Sequence, residues 1–512
     1  MIIDCRIRGL SLMDMSESYI DLFPSNYRDA ILHQQDFYLQ FPVYSQDVES
    51  IFMKLIRGFL SRHDVLYLRD VIVTIVKELI TNAVKANAKR LYFKNKGLMI
   101  DNAEDYEIGM STFKKDVLHH DSFIFREIAK TNLRVRVLFI SDNGALKIKV
   151  INNIPIVPSE LAKVEARIRK AYEYTDITQA FTDALDDSEG AGLGLIMAIL
   201  VFKSAGFSPN DFTIQSDGSK TVSSITLYQR KNRHEVEHKV ANEILKEIEL
   251  IPSFPENIRQ IEQKCSDPEC PIADIAECIK KDPGLATSIL KLANSAGYVI
   301  VRRIETIEDA IKIIGVKGVK TLLVASGVQH IMEKRYAKYK VIWEDAYKKA
   351  FYAHKIAIQL KNNTLSETAY LGALLSETGK IVLLSVDRDV TDKITDIAGI
   401  KDIANVDILE EMTLGISHPT LGALITKKWQ FSDSLVQSIE YYLRPYIAPE
   451  EYKELIYIIH LAHIYTEIEK KKYRFELVDD EVLEFFHLTH KETFDKLHSI
   501  LKQTYVQKNT IK

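Results

Sequence analysis

Between Val71 and Ala88 the positions Ile72, Ile75, Val76, Leu79, Ala83 and Ala86 recur at helical spacing, which predicts an amphipathic helix with that stripe against a core. Glu78 and Asn82 are four residues apart and Lys85 follows three later, so these polar groups share a flank of the same helix. Arg134 to Ile140 and Leu146 to Ile151 alternate with period two and predict a hairpin, with Asp142-Asn143-Gly144 supplying turn chemistry. The apolar run Leu193 to Phe202 reads as a helix, and Ser223 to Tyr228 as the strand that ends this region. Ahead of it all, Met1 to Leu10 suits an edge strand, while Ser18 to Leu39 mixes aromatics and acids without a clear period.

From Gln229 to Lys239 the apolar pattern stops and most side chains are charged, which marks a boundary. Beyond it, Glu243 to Tyr505 offers helix after helix at 3.6-residue spacing with few glycines. Asp282-Pro283 is a cap and first-turn proline for a helix through Leu285, Ile289, Leu290 and Leu292 that Gly297 ends. Thr306 with Asp309 starts another over Ile307 to Ile314, stopped by Gly315. The division that follows is a poorly read segment 1–40 belonging to the first domain, a first domain 41–229, a linker 230–240, a helical domain 241–450 and a helical extension 451–512.

Composition agrees with two cores, since 512 residues at 46% hydrophobic content can bury both. A net charge of -4 speaks against a polyanionic partner, so no nucleic acid is expected. No window approaches eighteen uninterrupted apolar residues, and Met1 to Leu12 lacks a basic region and a long apolar stretch. A membrane is therefore not expected, and a cytoplasmic location is the default. Cys5, Cys265, Cys270 and Cys278 form no CxxC arrangement, so neither zinc nor iron is expected.

The chemistry concentrates in Glu189-Gly190-Ala191-Gly192-Leu193-Gly194-Leu195, where a backbone without Cβ atoms lets amides approach an anion at the start of a helix. With Glu78 and Asn82 it outlines a phosphate pocket. Residues from about 40 to 230 resemble the GHKL ATPases, the fold of histidine kinases, anti-sigma-factor kinases and gyrase: the N box matches Glu78, Asn82 and Ala83, and the G2 box matches Gly190, Gly192 and Gly194. The resemblance implies an α+β two-layer sandwich that binds ATP and magnesium, with Asn82 on the metal, Glu78 orienting water or an acceptor, and Lys85 and Leu195 beside the nucleotide. The adenine-reading motif is eroded. In its slot, Asn152-Asn153-Ile154-Pro155-Ile156, Asn152 stands for the aspartate and Ile154 and Ile156 for glycines, adding bulk where a purine would lie. Asp142-Asn143-Gly144 could instead be that motif, shifted, although a hairpin turn accounts for it. His119-His120-Asp121, in an insertion from Lys94 to Asn132, is the nearest thing to a phosphoacceptor and reads as structural.

The helical half, through Leu250-Ile251-Pro252-Ser253-Phe254-Pro255, Asp282-Pro283-Gly284-Leu285-Ala286, Leu292-Ala293-Asn294-Ser295-Ala296 and Ala310 to Gly315, is similar to the HDOD domain, an all-α, degenerate relative of HD phosphohydrolases. That relationship implies a metal set of His, His-Asp and Asp, which lowers the pKa of bound water. Here His354 lies in the right sort of helix, the pair is Ser376-Glu377, the late acid is His463, and Tyr441-Tyr442 stand where paired histidines would be, with His418 keeping one outlying position. His354, Glu377, His460 and His463 could regroup around one metal, but histidines in a helical core ordinarily just hydrogen-bond.

Three functions follow as expectations. The first is a non-catalytic, bacterial-type signalling protein of two-component-like design, in which a nucleotide-sensing or degenerate GHKL module is coupled to an HDOD platform for protein partners, with homodimerisation open. The second is an ATP-dependent kinase or ATPase using Glu78. The third is an HD-type metal phosphohydrolase or cyclic-dinucleotide receptor.

Overall fold

Alternating apolar side chains build the first unit. In the computed structural model the chain forms two compact units, Met1–Val236 and Glu237–Lys512. The structure describes residues 20–24, 30–31, 33, 35–63, 65–118, 123–142, 145–174, 193–204, 207–228, 239–295, 304–336, 340–360, 363–386, 388, 390–392, 394–395 and 406–510. The expected edge strand at Met1 to Leu10, His119-His120-Asp121, the turn residues Asn143-Gly144, Gly190, Gly192, the linker core, Gly297 and Cys5 all lie outside the described residues.

The first unit contains a six-stranded antiparallel sheet in the order β1-β2-β3-β4-β6-β5. Its strands are β1 (Asp21–Phe23), β2 (Phe37–Phe41), β3 (Val135–Asp142), β4 (Ala145–Asn152), β5 (Phe212–Ser216) and β6 (Thr221–Tyr228). Phe37, Leu39, Phe41, Val135, Val137, Phe139, Leu146, Ile148 and Val150 are buried while their neighbours along each strand are half-exposed, so one face is core and the other is not. The register places Phe37 opposite Phe139, and their rings stack at 4.6 Å with Phe59 edge-on to both. β1 and β2 come from the unperiodic segment Ser18 to Leu39, where strands of three and five residues are too short to show alternation.

The helices of this unit are α1 (Gln46–Arg62) and α2 (Arg69–Lys96), which pack on the apolar side of the sheet, then α3 (Ala103–Leu118), α4 (Phe123–Ala129), α5 (Pro158–Glu173) and α6 (Leu193–Ser204). Ser45 accepts from the Val48 amide and starts α1. α2 overruns its expected end by two turns and stops at Gly97, whose φ of 69° is the left-handed cap conformation. The extra turns serve a small second core in which Tyr92 and Phe93 pack with Phe113, Ile124 and Ile128. The insertion after α2 is thus two helices with their own apolar anchor. α6 is apolar all round, with Leu195 to Leu200 and Phe202 buried, as a helix enclosed by protein must be.

The second unit is helical throughout its described residues. Asp282 accepts from the Leu285 amide at 3.0 Å to cap α10 (Pro283–Ser295), and Thr306 accepts from Asp309 at 3.0 Å to cap α11 (Ile307–Arg335), the helices α7 (Lys239–Leu250), α8 (Glu256–Ser266) and α9 (Ile272–Lys280) coming before them. Gly315 breaks α11 with φ 78°, ψ 165°, so the helix expected to stop there does stop, and another begins at once. The functional side chains sit on α12 (Lys340–Gln359), α13 (Asn363–Leu375), α14 (Thr378–Val386), α15 (Val406–Leu414), α16 (His418–Lys428), α17 (Asp433–Tyr441) and α18 (Lys453–Glu469). The stretch Thr364–Val386 is long and apolar enough to cross a membrane by composition, yet 67% of its apolar 18-residue window is buried in this unit, and Ser376-Glu377 divides it into two helices. α14 and α16 cross closely at Gly379, where a Cβ would collide with the His418 carbonyl oxygen. That contact brings His418 to Glu377.

Candidate functional site

The described residues enclose a cavity of about 430 Å³ in the first unit, between α2, the end of β4, α5 and the opening of α6. Asn82, Ala83 and Leu79 line it from α2, Val150 and Asn152 from β4, and Leu195 from α6. Ile154 and Ile156 form part of its wall and leave the space open. Thr221 donates to the Ile154 carbonyl at 2.8 Å and Arg90 to the Pro155 carbonyl at 2.8 Å, so the loop after β4 is held back from the space.

Asn152 is only 4% exposed. Its Nδ2 donates to the Ala83 carbonyl at 3.2 Å, while its Oδ1 is buried without a hydrogen-bond partner. An orphan acceptor at a cavity wall is the feature an N–H of a ligand satisfies, and leaving it unmet costs about 1–3 kcal/mol. The amide therefore offers the cavity the same kind of group a carboxylate would, an acceptor, because its donor end is already spent.

Asn82 donates to Glu78 Oε1 at 3.2 Å, and the Glu78 carboxylate lies against the Cα of Gly194, where any Cβ would overlap it. Glycine at 194 is thus required by a protein contact. Glu78 does not line the cavity, and Lys85, expected on the same stripe, points to solvent and takes no part. One residue of helical phase makes that difference: Lys85 lies three positions beyond Asn82, whereas Ala86, four beyond, faces the cavity.

The far side of the cavity was not read from the sequence. Lys89 forms an ion pair with Glu160 of α5, Tyr106 of the insertion helix α3 donates to Glu160 at 3.3 Å, and Lys163, Arg167, Met110 and Ser111 complete the wall. The insertion is part of the site. Lys163 and Arg167 are four residues apart on α5, a spacing that could have flagged them.

A second cavity, about 180 Å³, lies in the helical unit at the residues expected to be degenerate HD positions. Glu377, His418, Tyr442 and His463 meet there, but the missed residue at the centre is Lys349 of α12, 2% exposed. Its ammonium forms an ion pair with Glu377, donates to Ser376 Oγ at 2.9 Å and lies 4.7 Å from the centre of the Tyr442 ring. Burial would raise the Glu377 carboxyl, but Lys349, Lys380 and His418 hold it well below the usual carboxylate range. Burial pulls Lys349 below its ordinary value and Glu377 opposes that.

His418 is fully engaged: Nδ1 lies 2.6 Å from Glu410 Oε2, and Nε2 lies 2.8 Å from the Tyr442 hydroxyl. The carboxylate makes Nδ1 a donor and the tyrosine hydroxyl occupies Nε2, so neither ring nitrogen is offered to a metal. His460 donates from Nδ1 to the Tyr442 carbonyl at 2.7 Å. His354 is a correction: it is not at this cavity, but lies 3.4 Å from Glu367 and edge-on to Tyr370, because five residues separate it from Lys349 and turn it to another face of α12. Tyr441 is likewise no part of the lining, and Tyr442 is. Among the described residues, no three His, Cys, Asp or Glu side chains are grouped so as to hold a metal ion.

The helical architecture has a family counterpart. Residues 251–445 match the HDOD domain, so this part of the chain is an HDOD domain. An uncharacterized protein of Treponema pallidum (strain Nichols) is 28% identical over 444 residues, spanning 87% of this chain and 86% of that protein. Among solved structures, an HDOD domain protein with unknown function from Geobacter sulfurreducens is 19% identical, the match covering 53% of this chain and 95% of that one at a TM-score of 0.43. A candidate signal transduction protein from Marinobacter aquaeolei VT8 is 16% identical over 59% of this chain and 75% of that one, at a TM-score of 0.44.

Proposed function

We propose that this chain is a non-catalytic signal-transduction protein whose first unit is a GHKL-like module sensing an adenine nucleotide and whose HDOD domain engages protein partners. The observation that carries the reading is the unpartnered, buried Oδ1 of Asn152 at the wall of a 430 Å³ cavity. An exocyclic amine of a purine is a donor of the kind this oxygen lacks, and Ile154, Ile156, Val150 and Leu195 are apolar surface for its ring. Asn82 fits magnesium as well: its Nδ2 donates to Glu78, which leaves Oδ1 as the oxygen that would hold a hard cation. The metal would supply charge neutralisation there. Nucleotide binding would alter partner binding only as far as the ligated and free forms differ in affinity for that partner.

Catalysis is disfavoured in both units. Glu78 is turned to Asn82 and Gly194, and the HDOD centre holds an ammonium where a metalloenzyme needs an electron-pair donor set. A kinase or ATPase remains the second reading because Glu78 and Asn82 do stand together beside Gly194. Titrating the full chain with ATP and magnesium by calorimetry separates them. Saturable binding, lost in Asn82→Ala, without phosphate release or transfer supports the sensor. Turnover that disappears in Glu78→Gln supports the enzyme instead, and no binding removes both.

A further inference from the structure

The cavity of the helical unit is lined by five lysines against three carboxylates, Asp345, Glu377 and Glu467, from the HDOD domain and the helix that follows it. Two of the lysines are satisfied internally. Lys349 spends its ammonium on Glu377, Ser376 and the Tyr442 ring, and Lys470 lies 2.8 Å from Asp345 and 2.9 Å from Glu467. Lys380, Lys471 and Lys472 make no ion pair with a carboxylate among the described residues, although Glu377 and Glu410 feel the charge of Lys380. His463 also lines the space, and its Nδ1 has no hydrogen-bond partner. The lining therefore carries positive charge in excess and one uncommitted ring nitrogen.

From this we infer that the cavity is a metal-independent site for a small phosphate-class dianion, held by Lys380, Lys471 and Lys472 at its mouth and by His463. A surplus of two positive charges is balanced by a dianion and only half balanced by a carboxylate. At about 180 Å³ the space falls short of the roughly 300–1,000 Å³ that holds drug-sized ligands, which selects inorganic phosphate or a small phosphate monoester over a dinucleotide. Burial and then Lys349 hold His463 well below the usual histidine range, so it is neutral and contributes a hydrogen bond while the lysines contribute charge. The Lys349–Glu377 pair then has a distinct role: it keeps the floor electrically neutral, so the anion meets lysines and not the bare Glu377 carboxylate.

The test is a titration of the full chain with inorganic phosphate and with glycerol 3-phosphate, each followed by 31P chemical shift, with acetate as a competitor. Saturable binding of either phosphate is expected, weakened at least fivefold in Lys380→Gln/Lys472→Gln, unchanged in Lys130→Gln of the other unit, and unaffected by equimolar acetate. Tighter binding of the monoester assigns the source to an organic phosphate, and tighter binding of phosphate assigns it to the free ion. No saturable binding by the wild-type chain, equal displacement by acetate, or the same weakening in the exposed Lys130→Gln variant of the other unit, each overturns the inference. Circular dichroism of the double variant, which changes one half-buried and one exposed lysine, checks that it folds.

Discussion

The cavity beside Asn152 and the cavity beside Lys349 treat their buried polar groups in opposite ways. In the first, Asn152 Oδ1 has no partner, Asn82 is half-used, and the wall is largely apolar. In the second, most of the polar floor is closed upon itself, Lys349 with Glu377 and Ser376 and Glu410 with His418 and Tyr442, while His463 Nδ1 is left without a partner. A polar group left waiting is a cost to the fold unless a ligand meets it, whereas a closed network contributes to the fold and excludes a metal. The difference shows that two cavities of one chain can handle buried polar groups in different ways. The first leaves an acceptor unmet at the expense of stability, and in the second a lysine supplies the positive charge near Glu377.

The contrast is broken most severely by removing one half of the closed pair. Lys349→Met leaves Glu377 buried without its counter-charge and should destabilise the helical unit by about 3–5 kcal/mol, read from its denaturant midpoint. Lys349→Met/Glu377→Leu should recover most of that loss, and a single variant as stable as wild type would show the pair to be idle. Gly379→Ala comes next, at about 1–3 kcal/mol, because the added methyl meets the His418 carbonyl where α14 crosses α16 and that backbone has no flexible end to yield.

pH sharpens the same comparison. His463 is held below its ordinary value of 6.5 by burial, then Lys349, with His460 and Lys470 acting the same way and Glu377 acting against them. The unfolded chain therefore binds a proton that the folded one refuses, and stability must fall as pH drops below about 6.5, by at most about 1.4 kcal/mol per unit. Glu377 has the opposite charge type and the same sign of effect in a lower window: its contribution is complete above 4.5 and is lost only as pH falls toward its depressed folded value. Urea melts between pH 7.5 and 5.5 should show a slope in wild type that flattens in His463→Phe, and an unchanged slope would remove His463 from the account. The smallest effect belongs to the open cavity. Asn152→Leu loses one bond to the Ala83 carbonyl and relieves one orphan acceptor, so stability should move by no more than about 1 kcal/mol either way.

Much of this was legible in the chain itself. The period of Ile72, Ile75, Val76 and Leu79 gave α2, the alternation after Arg134 gave the β3–β4 hairpin, and the caps at Asp282 and Thr306 gave α10 and α11. The strands β1 and β2 were not, since β2 pairs with β3, about a hundred residues on, β1 pairs only with β2, and no local pattern of three to five residues reveals either ladder. At the sites, Asn82, Asn152, Leu195, Glu377, His418 and His463 were named and do line the cavities, whereas Lys85 and His354 do not. Lys349 was missed because its partner stands 28 positions away. A signal did exist: Lys349 falls three residues after Ala346 and four before Ala353, on a stripe that is fully buried, and a lysine there demands a carboxylate. The basic wall of Lys163 and Arg167 was hidden because only the folded sheet brings α5 opposite α2.

The central claim is that the Asn152 cavity is open because a nucleotide completes it. Calorimetric titration of the full chain with ATP and magnesium, wild type against Asn152→Leu at matched stability, tests this most directly. One site that weakens at least tenfold in the variant, about 1.4 kcal/mol or more, is the predicted result. Equal affinity in the two proteins, or no binding to either, would contradict it.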